Sequence, residues 1–457
     1  MKILNQVQTI CPVCHRPLPG VYVQREENIY FTKTCPEHGD FETVIGAEAD
    51  YSAWMDHPVI NIPPPLPITK GVPGECPLHC GTCENHLQTA CCVLIDVTQR
   101  CNQHCPYCFA SANEGTEGEP TLEEMEEKYD LLLRLGEERE FNLQISGGEP
   151  TVRDDLLHII SMARDKGFRY IQLNTNGKRI AQEDGYAKKL KKAGTSVVFL
   201  QFDGTTDEIY LKLRNEPLLE IKKKAIQNCR KAGLAVTLVP TVVGGVNLDN
   251  IGPMTDFLLE NVDVIKGIHF QPVSYFGRTP QGDEKDGRVT MFDVLHRLEE
   301  QTEFFSYDDF CPITTGHPLC CFYSTYTKTE NGVKCNLSKE KKETGVSCCE
   351  GSCCTDVDRL EIIEKDRDYV WNKWEMAPGE EEGGCCGVPD ETTAMDLDGF
   401  LQYYKRNTFT LTGMAFQDIS NLDGERLKRC RVVQLTDDGR LIPFCAYNSI
   451  YRGGEDA

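Results

Sequence analysis

The sequence predicts an α/β protein built on a partial (β/α)6 barrel, with a metal-binding ribbon before it and a cysteine-rich region after it. Three observations carry this. Between residue 91 and about residue 275, apolar strand-like runs alternate with helical ones, six strands in all. Two short pairs of metal-ligand residues flank a hairpin-like stretch near the N-terminus, and 12 of the 24 cysteines fall after residue 281.

The first segment, 1–57, places Cys11 and Cys14 before the strand-like VYVQREENIYFTK and Cys35 and His38 after it. A C-x2-C pair and a C-x2-H pair across a hairpin suit tetrahedral zinc, or a mononuclear iron, with three thiolates and one imidazole closing every position. A closed site of this kind is structural or relays electrons. Residues 58–90 begin with a proline-rich stretch that stays extended, because proline fixes φ and cannot donate to a strand ladder. Cys76, Cys80 and Cys83 follow it and are expected to hold an auxiliary cluster. Cys92 is expected to complete that set, since neighbours on a strand face opposite sides and only one of Cys91 and Cys92 can do so.

The segment 91–280 repeats strand and helix through short loops, which implies parallel pairing with right-handed crossovers. A doubly wound open sheet competes with the barrel on strand count alone. The first strand, CVLIDVTQR, runs directly into CNQHCPYC, placing Cys101, Cys105 and Cys108 at the C-terminal end of a strand, where barrel enzymes build their sites. Three thiolates at this spacing can hold a four-iron cluster and leave one iron without a protein ligand. GGEP, Gly147 to Pro150, closes the second strand, so both loops face one mouth. Glycines let backbone approach a ligand closely, and Glu149 can accept hydrogen bonds from an ammonium group. Asn174 and Asn176 close the third strand, and Gln201 and Asp203 the fourth; these can contact ribose or carboxylate, or serve as ordinary turn residues. The segment 281–457 reads as irregular and carries the vicinal pairs of SCCEGSCC and GGCCG.

Charge and hydropathy exclude several classes. With 48 Lys+Arg against 71 Asp+Glu the chain carries −23, the opposite of a nucleic-acid or anionic-membrane surface. No apolar run approaches the ~20 residues of a membrane span. A cytoplasmic location is expected, where a reducing milieu makes metal sites the economical use of so many cysteines.

The cluster loop and GGEP, in this order with a helix-sized gap between them, resemble the radical S-adenosylmethionine (radical SAM) superfamily. The aromatic Tyr107 before the third cysteine agrees, whereas the Cys76 set has Thr82 there. The resemblance implies that Cys101, Cys105 and Cys108 hold the catalytic [4Fe-4S] cluster, whose open iron chelates S-adenosylmethionine. It implies reductive cleavage to a 5′-deoxyadenosyl radical, which abstracts hydrogen from an organic substrate for carbon–carbon coupling or methyl-type transfer. A low-potential donor such as a ferredoxin or flavodoxin is then needed.

CPVC with CPEHG, HPLCC, and the closing FQDISNLDGERLKRC with LIPFCAYN further resemble the tetraether lipid synthase and hydroxymethylpterin dimethyltransferase-like group. That resemblance implies auxiliary [4Fe-4S] clusters with ligands from both flanks of the barrel, here Cys320, Cys430 and Cys445, with Cys311 or Cys321 substituting where Thr315 stands in place of a cysteine. The vicinal pairs are similar to those of the TrsS group of radical SAM proteins. The alternative is a TrsS-like maturation protein, or a metal- or metalloid-binding electron carrier without catalysis, since vicinal thiols bind soft metals or undergo redox exchange.

Overall fold

The computed structural model describes residues 1–64, 76–112, 119–136, 140–282, 287–337 and 397–452. The vicinal pairs at Cys348, Cys349, Cys353, Cys354, Cys385 and Cys386 lie outside them.

Four antiparallel strands in sequential order form the N-terminal ribbon: β1 (Lys2–Ile10), β2 (Pro17–Arg25), β3 (Asn28–Cys35) and β4 (Gly39–Ala47). Alternation of buried and exposed residues along β3 sends Ile29, Phe31 and Cys35 inward. The ribbon docks on the C-terminal segment: Tyr22 Oη donates to Asp423 at 2.7 Å, and the buried Lys33 ammonium donates to the Ile419 carbonyl at 2.7 Å.

The six expected strands are all present and parallel: β5 (Cys92–Thr98), β6 (Asn142–Gly147), β7 (Ile171–Thr175), β8 (Val197–Gln201), β9 (Ala235–Val239) and β11 (Ile265–Pro272), with the short β10 (Thr241–Val242) beside β11. Their helices cover the outer face with apolar stripes. In the helix Leu122–Leu135, Met125, Tyr129 and Leu132 are buried, and a capping box between Thr121 and Glu124 sets its start. The sheet does not close on itself among the described residues, which agrees with a partial barrel.

The segment 281–457, read as irregular, differs. It supplies β12 (Cys321–Thr329), β13 (Gly332–Cys335), β14 (Thr408–Met414), β15 (Val432–Leu435) and β16 (Leu441–Pro443). The strand order is β13-β12-β14-β11-β9-β8-β7-β6-β5-β15-β16, so this segment adds to both edges of the sheet. β14 runs parallel to β11, and β15 parallel to β5. These short strands pair with partners far away in sequence, and nothing local announces such pairing.

The loops after β5 and β6 are locked together at the C-terminal end of the sheet. Gly148 N donates to the Thr98 carbonyl at 2.8 Å and Glu149 N to the Arg100 carbonyl at 2.9 Å. A Cβ on Gly148 would lie 2.4 Å from that Arg100 oxygen, while Gly147 adopts φ +123°. Only glycine permits both. Gly148→Ala is expected to cost about 1–3 kcal/mol by overpacking and to lower the iron retained after anaerobic reconstitution; an unchanged melting temperature and iron content would contradict this.

Candidate active site and metal centres

Cys101, Cys105 and Cys108 sit in the loop after β5, at the mouth that GGEP also faces. Their sulfurs act on one another electrostatically, and Glu149 acts on Cys101. Burial pushes the Cys101 thiol up to about 12. A buried thiol of this kind becomes a thiolate when metal replaces its proton. The loop's backbone is held from outside: Cys108 and Arg278 exchange both backbone hydrogen bonds at 2.9 Å, and Arg278 Nε donates to the Cys105 carbonyl at 2.7 Å. Three sulfurs on a fixed loop, with a glycine cradle beside them, fit a [4Fe-4S] cluster with one open corner.

Glu149 is almost fully buried. Its Oε1 accepts from Thr151 N at 3.1 Å, Thr151 Oγ1 at 2.5 Å and Thr175 Oγ1 at 2.6 Å, and its Oε2 from Asn176 N at 2.7 Å. The carboxylate thus joins the β6 and β7 loops, and Oε2 keeps acceptor capacity. Asn176 Nδ2 reaches the cluster loop at Asn102 Oδ1, 2.7 Å away. Asn174 is half-buried and accepts from Gln172 Nε2 at 2.7 Å. Pro150 opens a single 3-10 turn that aims Thr151 back at Glu149.

Asp203, expected to contact the cofactor, is paired within the protein. It is fully buried, and both of its oxygens face the Arg214 guanidinium at 2.6 and 2.7 Å, while Thr241 N donates to Oδ1 at 3.1 Å. The same guanidinium donates to the Tyr107 carbonyl at 2.8 Å and hydrogen-bonds Cys105. Asp203 therefore positions Arg214 against the cluster loop, because a buried guanidinium needs a counter-ion.

Two residues escaped the sequence reading. Arg214 ends the helix Asp207–Arg214 on its buried face. Lys222 lies on the buried stripe of the helix Leu219–Ala232, with Ala225, Ile226 and Cys229. A lysine at an apolar-stripe position was the available signal. Its ammonium donates to the Asn176 carbonyl at 2.6 Å and to Gln201 Oε1 at 3.3 Å, and burial lowers it to about 8 against the pull of Asp203.

In the ribbon, Cys11, Cys14, Cys35 and His38 bring their ligand atoms within 4.8 Å of one another. Burial opposes ionisation of Cys35, but backbone N–H groups of Glu37 and His38 and the His38 ring outweigh it and bring the thiol down to about 6. This donor set fits tetrahedral zinc.

Cys76, Cys80 and Cys83 gather beside the C-terminal segment. Cys92, the expected fourth member, has its Sγ 3.9 Å from that of Cys91, at the start of β5. Cys430, two residues before the β15 position that pairs with Cys92, is the further sulfur that acts on Cys80. Cys430 is in turn coupled to Cys320 and Cys445, and the buried Arg426 donates to Cys320 Sγ at 3.4 Å. Cys311 sits apart in sequence register, its backbone paired with Tyr323 at 3.0 and 3.3 Å. Thr315 takes a hydrogen bond from Arg431.

Two outcomes are expected. Arg214→Gln leaves the Asp203 carboxylate buried and unpaired, at a cost of about 3–5 kcal/mol; adding Asp203→Asn recovers part of the unfolding temperature, and an additive double variant would contradict the pairing. Cys35→Ser removes the zinc found by elemental analysis while leaving the iron content near that of the parent protein.

Comparison with known proteins agrees with this geometry. Residues 95–258 match the model of the radical SAM superfamily, and residues 3–46 match that of the HMPTM N-terminal zinc ribbon domain. The chain is 35% identical over 480 residues to the 7,8-dihydro-6-hydroxymethylpterin dimethyltransferase of Methanocaldococcus jannaschii, covering 97% of this chain and 93% of that protein. It is 30% identical to a probable GTP 3′,8-cyclase of Methanothermobacter thermautotrophicus, over 38% of this chain and 55% of that protein. It is 33% identical to the Fe-coproporphyrin III synthase of Methanosarcina barkeri, over 41% and 45%. The cofactors that follow are a [4Fe-4S] cluster and S-adenosylmethionine, with further metal in the zinc ribbon and the cysteine-rich regions, and the enzyme reading prevails over the non-catalytic carrier. The chain belongs to the radical SAM enzymes, in the family of 7,8-dihydro-6-hydroxymethylpterin dimethyltransferase.

Proposed function

We propose that this enzyme modifies a reduced pterin-type heterocycle by methyl-type transfer, with Cys101, Cys105 and Cys108 as ligands of the catalytic cluster. The observation that carries the substrate is the 35% identity to the pterin dimethyltransferase along 97% of the chain. When bound and reduced by one electron, the cluster and S-adenosylmethionine supply a primary carbon radical that takes hydrogen from unactivated carbon.

The chain's own residues bind and orient. Gly147, Gly148 and Pro150 shape the turn that would receive the methionyl end of S-adenosylmethionine, and Glu149 Oε2, which keeps acceptor capacity, would accept from its ammonium. Lys222 carries three donors and uses two on Asn176 and Gln201; the third would serve the carboxylate of S-adenosylmethionine. Asn174 would hold the ribose. Asp203, already paired, acts only through Arg214.

Cys76, Cys80, Cys83 and Cys430 form one auxiliary ligand set, and Cys320 and Cys445, beside the Arg426 cation, contribute to a second, with Cys311 as a further candidate. A cation beside such sulfurs offsets the negative charge of a thiolate-bound cluster. Cys11, Cys14, Cys35 and His38 hold zinc. Enzymes of this family require a reductant, and we assign this role to a low-potential electron donor of the ferredoxin or flavodoxin type, in the cytoplasm. No described helix is long and apolar enough to cross a membrane.

Anaerobically reconstituted, dithionite-reduced protein should form 5′-deoxyadenosine from S-adenosylmethionine, and should methylate 6-hydroxymethyl-7,8-dihydropterin as read by mass spectrometry. Cys105→Ala should abolish 5′-deoxyadenosine; its persistence would remove the cluster assignment. Lys222→Met removes a charge-assisted bond of about 1.5–3 kcal/mol, so S-adenosylmethionine should bind roughly ten- to hundredfold more weakly. Unchanged binding would exclude Lys222 from the carboxylate site.

A further inference from the structure

β5 divides its side chains between two apolar clusters, Val93, Ile95 and Val97 in one and Leu94 in the other, with an irregularity in its pairing with β6 between Asp96 and Thr98. Val93, Ile95 and Val97 are fully buried against the surrounding helices, so Leu94 and Asp96 project to the other face of the sheet, into the barrel. A carboxylate on the inner face of a barrel strand is costly unless paired. Arg452, which follows the turn Tyr447–Tyr451 at the end of the described chain, supplies the partner: its Nη2 lies 2.9 Å from Asp96 Oδ2, and each side chain is 10% exposed. Arg452 is held in place by Asn448 Oδ1, 2.8 Å from its Nε.

The pair is only half used. Asp96 Oδ1 is buried and has no hydrogen-bond partner, and Arg452 Nη2 makes the ion pair without a well-aligned hydrogen bond. Such an orphaned carboxylate oxygen costs free energy in a structural ion pair. It is what a site looks like when it waits for an N–H group. Aromatic rings surround it. The Arg452 guanidinium stands 5.6 Å from the ring centre of Phe109 and 4.9 Å from that of Tyr447. Phe109 continues to Phe444 at 5.7 Å, and Phe444 to Phe416 at 4.7 Å and Phe276 at 6.1 Å. Phe109 directly follows the cluster ligand Cys108, so the pair lies beside the reacting end of the barrel.

We propose that Asp96 and Arg452 recognise the polar edge of the substrate, a flat heterocycle with an amino-pyrimidinone edge. Asp96 Oδ1 accepts from adjacent ring and amino N–H groups, the Arg452 fork donates to the ring carbonyl, and Phe109 with its neighbours covers the flat face. Acceptor, donor and aromatic wall match that edge, whereas a purely hydrocarbon substrate would use none of the charges. This assignment rests on the pterin reading above.

The test is anaerobic binding of 6-hydroxymethyl-7,8-dihydropterin to the reconstituted holoenzyme, followed by calorimetry, for the parent protein and for Asp96→Asn and Arg452→Lys. Asp96→Asn keeps the volume and removes the charge; Arg452→Lys keeps the charge and removes the fork. Both should weaken pterin binding at least tenfold while S-adenosylmethionine binding and iron content stay at parent values. If the parent protein binds the pterin and both variants bind it equally well, the recognition pair is overturned and the pterin reading survives. If the parent protein does not bind it, the pterin reading itself falls. Should Asp96→Asn lose iron or unfold, Arg452→Lys decides: parent-like pterin affinity there overturns the proposal.

Discussion

Everything at the mouth of this barrel depends on balancing charge in a place from which water is excluded. Glu149, Asp203, Arg214 and Lys222 are all buried beneath the cysteine loop, and each would be expensive alone. Together they form a neutral set of two carboxylates and two cations. The two loops that a cluster and its ligand must meet are thereby fixed relative to one another: Glu149 ties the β6 loop to β7, Lys222 reaches across to the Asn176 carbonyl, and Arg214 holds the backbone of the cysteine loop at Tyr107. Rigid positioning of this kind is what radical chemistry needs from a protein, because the cofactor brings the reactivity and the fold brings order.

A second consequence concerns the open sheet. A partial barrel leaves its flank uncovered, and here the chain returns after the sixth strand to extend both edges, β14 beside β11 and β15 beside β5. The return brings Cys430 and Cys445 to the linker cysteine Cys80 and sets Arg452 against Asp96. Closing the flank and assembling the auxiliary thiols are therefore one structural event. The ribbon joins it through Tyr22 and Lys33, which bond to Asp423 and Ile419 of the same segment, so the zinc site supports the shell that covers the barrel.

Local features of the chain determined a good deal. The six strands, the cysteine loop at the end of the first, the glycine turn at the end of the second and the ribbon's four ligands could all be read directly, because each depends on spacing within a few residues and on strand or helix periodicity. Tertiary structure alone decided the rest. Cys430 comes beside Cys80 because β15 pairs with β5 across more than three hundred residues, and no periodicity encodes that pairing. Asp203 looked available until folding placed Arg214 on both of its oxygens. Lys222 and Asp96 were not singled out from the sequence, and only packing shows that each is turned inward. The physical reason is the same throughout: spacing reports which face a side chain occupies, but whether a buried charge is spent on a neighbour or left for a ligand depends on contacts between segments distant in the chain.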